Sequence, residues 1–282
     1  MLNILITGGA GFIGSALAKR FIEKGHRVVS LDDYSIGTRD NHIERVKYIN
    51  ADIEQIKELK NEYDIIFHLA ALSRIQPSYD NPSETFRVNS IGTQAVCEFA
   101  RLNDSKVIYA GSSSKWHNPY QSPYASCKHI GEEICKMYKK SFDTNIEIAR
   151  FYNVYGPGEI MYGDWAAVIG KWRGLVQQNK PITVVGDGEQ KRDFTHIDDI
   201  IDGLYRIAIG SKKHDDAWEL GTGKNYSINE IASLFQIKFG CEIVYLHDQY
   251  GNYRETLQEN KDAQTILGWE PEDRLQEYIS EL

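Results

Sequence analysis

A glycine-rich turn near the start of the sequence restricts the fold more than any other feature. The apolar run at residues 3–7 predicts a buried strand, and the apolar spacing at residues 13–24 predicts a helix. Between them lie Gly8, Gly11 and Gly14. Glycines in such a turn allow a tight bend, a close approach of the backbone to a ligand, and close packing of the helix on the strand. Because a helix beginning there presents free N–H groups and a positive dipole end, we predict a phosphate-binding turn for a dinucleotide.

An acidic residue indicates which dinucleotide is bound. Asp32 follows a second predicted strand at residues 27–31, where a carboxylate accepts hydrogen bonds from the adenosine ribose hydroxyls. It would repel a 2′-phosphate, so we predict NAD rather than NADP as the cofactor. Asp33 is assigned to the same site, although a solvated loop acid would give the same pattern. Arg39 is the one nearby residue that favours a phosphate.

The alternation of strands and helices predicts the architecture. Further short apolar runs predict strands at residues 46–49, 63–69, 106–110 and 146–151. Helical patterns occur at residues 53–60, 90–102 and 124–142. This alternation indicates an α/β fold, a Rossmann-type doubly wound parallel sheet with helices on both faces. We expect an NAD-binding domain at residues 1–155, to which later segments return, and a smaller α/β lobe, mainly substrate-binding, at residues 156–282.

Composition excludes several classes of partner. The formal net charge is −8 and no basic block is present, so neither nucleic acid nor an anionic membrane surface is an expected partner. The four cysteines form no CxxC pair, and no metal-ligand spacing occurs, so no metal site is expected. No apolar run reaches membrane-spanning length, and the first residues do not form a signal peptide. We therefore expect a soluble, cytoplasmic protein.

A tyrosine and a lysine on one predicted helix are the candidate catalytic residues. Tyr124 and Lys128 have the i, i+4 spacing that places two side chains on one helix face. A phenol, with a pKa near ~10, is a poor base at neutral pH, but a neighbouring ammonium and a positive nicotinamide would lower that pKa. Upstream, Ser112 to Ser114 follow the strand at residues 106–110, where ligands of parallel sheets bind. A serine there can hydrogen-bond the reacting oxygen, and Ser112 and Ser113 are the candidates.

Motifs along nearly the whole chain resemble one family. They are TGGAGFIGS, Asp32, Ala51-Asp52-Ile53, HLAA at 68–71, VNSIGT at 88–93, SSS, YASCK, RFYNVYGP at 150–157, GDGEQKRDFTHIDD at 186–199 and LGWEP at 267–271. In this order they resemble the extended short-chain dehydrogenase/reductases, in the branch of NAD-dependent nucleotide-sugar epimerases and dehydratases.

The resemblance implies roles for individual residues. The cofactor would contact Gly8, Gly11, Phe12, Ile13, Gly14, Asp32, Asp33, Asp52, Ile53, Leu69, Ala70, Ala71, Asn89, Tyr124, Lys128 and Tyr152. Ser112, Tyr124 and Lys128 would form the catalytic set, with Tyr152 beside the nicotinamide. The substrate would contact Ser113, Asn153, Arg192 and Arg254. Arg192 would hold the diphosphate, for which a bidentate guanidinium is suited. The alternative for Arg192 is a surface ion pair with Asp193 or Asp198.

The sequence departs from the family pattern at three places. The segment at residues 115–120 replaces a longer loop that in relatives borders the sugar, which implies either a more open sugar site or a shortening without functional meaning. The 4,6-dehydratases carry an Asp-Glu pair where this chain has Ser113 and Ser114, which cannot do that acid–base work. Gln249 occupies the position of a second diphosphate arginine, and Arg254 is the candidate replacement.

The resemblance therefore implies a nucleotide-sugar 4-epimerase acting through a 4-keto intermediate, with a UDP-sugar as the expected substrate. The alternatives are a 4,6-dehydratase or a 4-keto-sugar reductase of the same family. The alternative from a different class is a catalytically silent NAD-binding regulatory protein. The resemblance also implies a homodimer built from the helices at residues 90–102 and 124–142.

Overall fold

A computed structural model describes the whole chain, residues 1–282. Its twelve strands are β1 Asn3–Thr7, β2 Arg27–Asp32, β3 Lys47–Asn50, β4 Ile65–His68, β5 Lys106–Ser112, β6 Ile146–Phe151, β7 Asn153–Tyr155, β8 Ile182–Val185, β9 Lys191–His196, β10 Trp218–Leu220, β11 Asn225–Ser227 and β12 Ile243–Leu246. Its ten α-helices are α1 Phe12–Glu23, α2 Ile75–Asp80, α3 Pro82–Phe86, α4 Gly92–Asn103, α5 Pro123–Phe142, α6 Val168–Gln177, α7 Ile197–Ile209, α8 Ile228–Phe239, α9 Asp262–Leu267 and α10 Leu275–Glu281.

The chain divides into two compact units. The first comprises Met1–Arg150 and Ile201–Trp218, and the second comprises Phe151–Ile200 and Glu219–Leu282. The chain therefore leaves the first unit at Arg150 and returns to it at Ile201. None of the ten helices is both long and apolar enough to cross a lipid bilayer.

The main sheet has seven strands in the order β10-β6-β5-β4-β1-β2-β3. Neighbouring strands from β1 to β5 pair in parallel. The strand order reverses between β1 and β4, which is the switch point where doubly wound folds bind their ligands at the carboxyl ends of the strands. The sheet confirms the predicted α/β Rossmann-type fold. A hydrophobic core packs against this sheet, and residues such as Leu5, Ile66 and Val107 are excluded from solvent in it.

Local signals decide where α5, the helix that carries Tyr124 and Lys128, begins and ends. Ser122 is the N-cap of α5, and its hydroxyl accepts a hydrogen bond from the Ala125 N–H at 3.1 Å. Pro123 occupies the first helical position, where its missing N–H has no cost. The helix ends at Asp143, which adopts a left-handed conformation with φ 53°. Because these signals fix where the helix begins, they also fix the side of the helix on which Tyr124 and Lys128 lie.

Two segments differ from the helical prediction. The segment predicted as a helix at residues 53–60 is a short 3₁₀ turn, Ile53–Glu58, begun by the capping box of Asp52 and Gln55. The helix predicted at residues 90–102 begins at Gly92 and follows a π-turn, Arg87–Ile91. The two segments pack against each other, and Gly92 has no room for a side chain because a Cβ there would lie 2.7 Å from Ile53 Cγ2.

The second unit has its own sheets and core. β9 pairs with β11 on one side and β7 on the other, and β8 pairs with β12 in parallel. The core contains large side chains such as Trp172 and Phe235, whose rings meet edge to face at 5.4 Å between centroids. The Asp193 carboxylate, fully buried, accepts bonds from Thr222, Gly223 and Gln258 and so joins three segments of this unit.

Candidate active site

The glycine turn leaves an open cradle at the start of α1. Gly8 has φ +74°, and a Cβ there would lie 2.8 Å from the Ala70 nitrogen, while a Cβ on Gly14 would lie 2.1 Å from the Gly8 oxygen. Gly11 is the N-cap of α1 and no side chain caps its first turn. The N–H groups of that turn are therefore available to an external acceptor, which is the arrangement a pyrophosphate requires.

Asp32 is positioned as the sequence predicts, at the carboxyl end of β2. Its carboxylate accepts the N–H groups of Ala10 and Tyr34, both at 2.9 Å. Burial raises the pKa of Asp32, and these two hydrogen bonds oppose the rise. Each carboxylate oxygen keeps a second lone pair, so ribose hydroxyls still have acceptors. Asp33, by contrast, is exposed and accepts hydrogen bonds from Ser35, so its side chain acts in its own turn.

Asp52 is already engaged by an ion pair. Its carboxylate lies 2.7 Å from the Arg87 guanidinium, which lowers the pKa of Asp52. Ile53 is buried, packed close to the position of Gly92. A contact of the Asp52–Ile53 segment with adenine stays a prediction, and the Asp52 carboxylate would have to leave Arg87 to make it.

The end of β4 is held against the glycine turn. The His68 ring joins the hydroxyls of Thr7 and Thr93, at 2.9 and 3.0 Å. Complete burial lowers the pKa of His68 to about 3, so the ring stays neutral. Asn89 brackets the next loop, because its amide oxygen accepts the Leu72 N–H at 2.8 Å and its amide nitrogen donates to the Leu72 oxygen at 2.9 Å. Asn89 thus fixes the segment that follows Leu69, Ala70 and Ala71.

The predicted catalytic residues meet at the end of β5. The Tyr124 hydroxyl donates to the Ser112 hydroxyl oxygen at 3.3 Å. Lys128, one turn further along α5, donates from Nζ to the Ala110 oxygen at 2.8 Å. The distance favours Ser112 over Ser113 as the partner of the tyrosine. A substrate oxygen near Tyr124 and Ser112 would have one acid–base group and one neutral hydrogen-bonding group.

A charge that the sequence does not mark acts on the tyrosine. Burial raises the pKa of Tyr124, while the Ser112 hydrogen bond and the Arg74 positive charge lower it. Burial lowers the pKa of Lys128 to about 8. The effect of Lys128 and of the bound nicotinamide on Tyr124 stays a prediction. Sequence reasoning missed Arg74, because no motif marks it.

Arg74 reaches Tyr124 through a segment that is anchored to α5. Arg74 is the N-cap of α2, and Ser78 in that helix accepts the Tyr124 N–H at 3.2 Å. The guanidinium therefore lies in a segment fixed to the backbone of the catalytic tyrosine. Its positive charge favours the phenolate, which is the form that can remove a proton.

Replacing Arg74 by glutamine is expected to move the acidic limb of the pH–rate profile to higher pH. The reason is that the positive charge stabilises the ionised tyrosine, so its loss raises the pKa of Tyr124. The measurement is kcat as a function of pH. Arg74→Lys retains the charge and should keep the limb in place, and an unmoved limb in Arg74→Gln would contradict the effect.

The shortened loop at residues 115–120 packs on α5. Lys115 pairs with Glu133 at 2.9 Å, and the Arg150 guanidinium lies 5.1 Å from the centre of the Trp116 ring. Tyr120 is 88% exposed. The loop is thus anchored at its beginning and solvated at its end.

Arg192 in the second unit is a half-buried cation without a carboxylate partner. Its guanidinium donates to the Lys191 oxygen at 2.8 Å, and no ion pair joins it to Asp193 or Asp198. The alternative of a surface ion pair is therefore wrong. Burial lowers the pKa of Arg192 to about 10. A desolvated guanidinium with no acidic partner is suited to bind an anion.

The other residues predicted to contact substrate are placed differently. Asn153 donates a hydrogen bond from its side-chain amide to the backbone carbonyl oxygen of Asp193 at 3.0 Å. Tyr152 is buried and its hydroxyl donates to Glu219 at 2.5 Å, so a place for Tyr152 beside the nicotinamide stays a prediction. Arg254 is exposed and bound to Asp187 at 2.8 Å, and its role as a replacement for the arginine missing at Gln249 stays a prediction.

The chain is similar to known proteins over most of its length. Residues 4–221 match the family described as NAD dependent epimerase/dehydratase. The UDP-glucose 4-epimerase of Mycolicibacterium smegmatis is 31% identical over 307 residues, which cover 99% of this chain and 96% of that protein.

Solved structures agree over nearly the whole chain. The crystal structure of UDP-glucose 4-epimerase with UDP-glucose from Thermotoga maritima superposes with a TM-score of 0.92 at 26% identity, covering 99% of this chain and 96% of the other. The UDP-glucuronic acid 4-epimerase from Bacillus cereus, in complex with UDP-glucuronic acid and NAD, has a TM-score of 0.88 at 28% identity, with coverage of 99% and 96%.

Proposed function

The chain belongs to the NAD-dependent epimerase/dehydratase family, and on that premise we propose that it is a nucleotide-sugar 4-epimerase that acts on a UDP-sugar. Family membership confirms the resemblance drawn from the motifs, and the cofactor is NAD. The observation that carries the proposal is the 3.3 Å hydrogen bond between Tyr124 and Ser112, with Lys128 on the same helix.

The cofactor side of the reaction rests on the first unit. The uncapped first turn of α1 receives the pyrophosphate, and the Asp32 carboxylate receives the adenosine ribose. Lys128 keeps N–H donors beyond its bond to Ala110, and these can orient the nicotinamide ribose. When bound, NAD would accept a hydride from C4 of the sugar and return it to the opposite face of the same carbon.

The residues of this chain move one proton. Tyr124, as phenolate, takes the proton from the C4 hydroxyl while Ser112 holds the same oxygen by a hydrogen bond. The sugar becomes a 4-keto species and turns about its diphosphate. Tyr124 then gives the proton back to the oxygen when C4 is reduced on its other face. No net oxidation occurs, and one C4 configuration replaces the other.

The alternatives within the family have weaker support. A 4,6-dehydratase needs an acid and a base beyond the catalytic serine, and this chain has Ser113 and Ser114 there. A 4-keto-sugar reductase would consume reduced cofactor. A silent NAD-binding protein would not require the bond between Tyr124 and Ser112.

Incubation with UDP-glucose, UDP-galactose and their N-acetyl forms tests the proposal. The expected product, followed by proton NMR, is the C4 epimer of the added sugar. A 4-keto-6-deoxy product would instead identify a dehydratase, and net oxidation of added NADH would identify a reductase. If none of the substrates changes, the UDP-sugar 4-epimerase proposal falls.

Arg192 is proposed as the ligand of the substrate diphosphate, because it is a half-buried, partly desolvated cation with no acidic partner. Replacing it by glutamine is expected to raise KM about tenfold to a hundredfold with kcat little changed, which is the loss of one charge-assisted anion contact. Steady-state kinetics measures the split. Arg254→Gln is the matched control. We propose that the Arg254 guanidinium, which is bound to Asp187, does not hold the diphosphate, so this substitution should leave KM unchanged. An equal KM in both variants would contradict the assignment.

We also propose a cytoplasmic homodimer. Large apolar side chains are exposed on or beside α4 and α5, at Ile91, Leu102, Ile130, Met137 and Phe142. A twofold association through these helices would cover them. The mass of the native protein in solution, measured by light scattering, tests the dimer. All four cysteines are free, which supports a reducing compartment.

A further inference from the structure

Glu132 and Arg150 form a buried ion pair that the proposed chemistry does not use. Both side chains are only 1% exposed. The guanidinium donates three hydrogen bonds to the carboxylate, from Nε to Oε1 at 3.0 Å and to Oε2 at 3.2 Å, and from Nη2 to Oε2 at 2.8 Å. Because removing two charges from water costs several kcal/mol per ion, such a pair is weak evidence for stability by itself. Its position in the molecule therefore needs another explanation.

Other charged side chains lie around the ion pair. On its far side the Arg150 guanidinium binds Asp216, at 2.7 and 3.0 Å, and Lys136 binds the same carboxylate at 2.6 Å. Lys115 lies 3.8 Å from Glu132 and makes its shorter contact with Glu133. Asp216 is 43% exposed, so Glu132 is the buried carboxylate of the group.

The ion pair lies directly against the catalytic end of β5. A Cβ on Gly111 would be 3.0 Å from Arg150 Cγ, 3.0 Å from Glu132 Oε1 and 3.1 Å from Ile148 Cγ2. Gly111 stands between Ala110, whose oxygen receives Lys128, and Ser112, whose hydroxyl receives Tyr124. The ion pair therefore packs against the strand between Ala110 and Ser112, the two residues that accept the hydrogen bonds of Lys128 and Tyr124.

The same carboxylate acts on Lys128 through its charge. Glu132 follows Lys128 by one turn on α5, so the two share a helix face. Burial lowers the pKa of Lys128 to about 8, and the negative charge of Glu132 is the largest influence that raises it. The other titratable groups around the ammonium are the thiols of Cys127 and Cys135, the Tyr109 ring at 5.1 Å, and the neutral His68 ring.

We propose that the Glu132–Arg150 pair is a positioning device that sets the end of β5 under Ser112 and keeps Lys128 in its charged form. Glu132 and Arg150 touch neither the sugar nor the reacting atoms. They act through Gly111 on the backbone and through the Glu132 charge on the lysine. The catalytic consequence rests on the proposed function, whereas the effect on Lys128 can be measured without turnover.

The test is a titration of Lys128 in protein labelled with ¹³C at the lysine Cε. The NMR signal that disappears in Lys128→Arg identifies the residue. In Glu132→Gln, which keeps the shape and an acceptor oxygen for Arg150, the titration midpoint is expected to fall by about one pH unit. The sign follows from the loss of a negative charge that favours the ammonium. In turnover, the alkaline limb of kcat should move to lower pH by the same amount.

Asp216→Asn is the matched control. It removes the other carboxylate of the same guanidinium, and the Lys128 midpoint should stay where it is in the wild-type protein. An unchanged midpoint in Glu132→Gln overturns the proposed charge effect, and an equal fall in both variants assigns the effect to Arg150 instead of Glu132. Absence of turnover on every nucleotide sugar, with the midpoint shifted, would remove the proposed function and leave the charge effect standing.

Gly111→Ala tests the contact with the strand, and it serves also if Glu132→Gln does not fold. Its Cβ must displace the ion pair or the strand by a few tenths of an ångström. We expect a fall in kcat with little change in KM, and a kcat equal to that of the wild type in folded protein overturns the positioning role.

Discussion

Replacing Tyr124 by phenylalanine is expected to lower kcat about a thousandfold, because the only acid–base group joined to Ser112 is lost. The ring is retained, so binding of the cofactor and of the nucleotide sugar should persist. The measurement is C4 inversion of the nucleotide sugar by NMR, together with the dissociation constant for NAD. A large fall in turnover with unchanged NAD affinity would be the signature of a residue that acts only on the proton.

Tyr120→Phe is the control for that experiment. Its side chain is 88% exposed and its removed hydroxyl touches no proposed substrate atom, so turnover should stay at the wild-type level. Unchanged turnover in Tyr124→Phe would remove the tyrosine from the mechanism. If neither protein inverted any nucleotide sugar while both bound NAD, the silent NAD-binding protein would become the better hypothesis.

Gly14→Ala is expected to lower the stability of the protein, whereas Gly11→Ala is expected to lower its affinity for NAD. A Cβ on Gly14 would meet three backbone atoms within 2.9 Å, the nearest being the Gly8 oxygen at 2.1 Å, and backbone cannot move aside cheaply. We expect a loss of about 3 kcal/mol in the free energy of unfolding. A Cβ on Gly11 meets only the Gly8 oxygen, at 3.3 Å, and φ −82° suits alanine. Gly11→Ala should therefore fold normally and lose NAD affinity through contact with the pyrophosphate.

Denaturant unfolding and NAD titration together separate the two effects. Each variant is the control of the other, since both add one methyl group to the same turn. Wild-type NAD affinity in Gly11→Ala would contradict the placement of the pyrophosphate at the first turn of α1. Wild-type stability in Gly14→Ala would contradict the packing of that turn.

Some parts of the site could be predicted because they depend on short spacings. The glycine turn, the position of Asp32 and the four-residue separation of Tyr124 and Lys128 are fixed by the local path of the chain. Their neighbours in the structure are close in sequence or follow from the order of parallel strands. The same holds for the choice of Ser112, which depends on where β5 ends.

Other parts could not be predicted because they depend on pairing between distant residues. Whether an arginine is neutralised is decided by the segment that packs against it. Arg254 binds Asp187, which lies 67 positions away, while Arg192 stays without an acid although Asp193 is its neighbour in sequence. Arg74 is an ordinary loop residue until Ser78 attaches its segment to Tyr124.

The sequence by itself determined the family, the α/β fold and the NAD cofactor, and it predicted the serine, tyrosine and lysine proposed as catalytic, because each follows from a motif or a spacing along the chain. The tertiary structure decided which charges act on those residues. Burial and long-range contacts place Arg74 near Tyr124, seat the Glu132–Arg150 pair under Gly111, and leave Arg192 as the cation without a counterion. Electrostatic interactions depend on distance and on solvent exclusion, and neither is written in the order of residues.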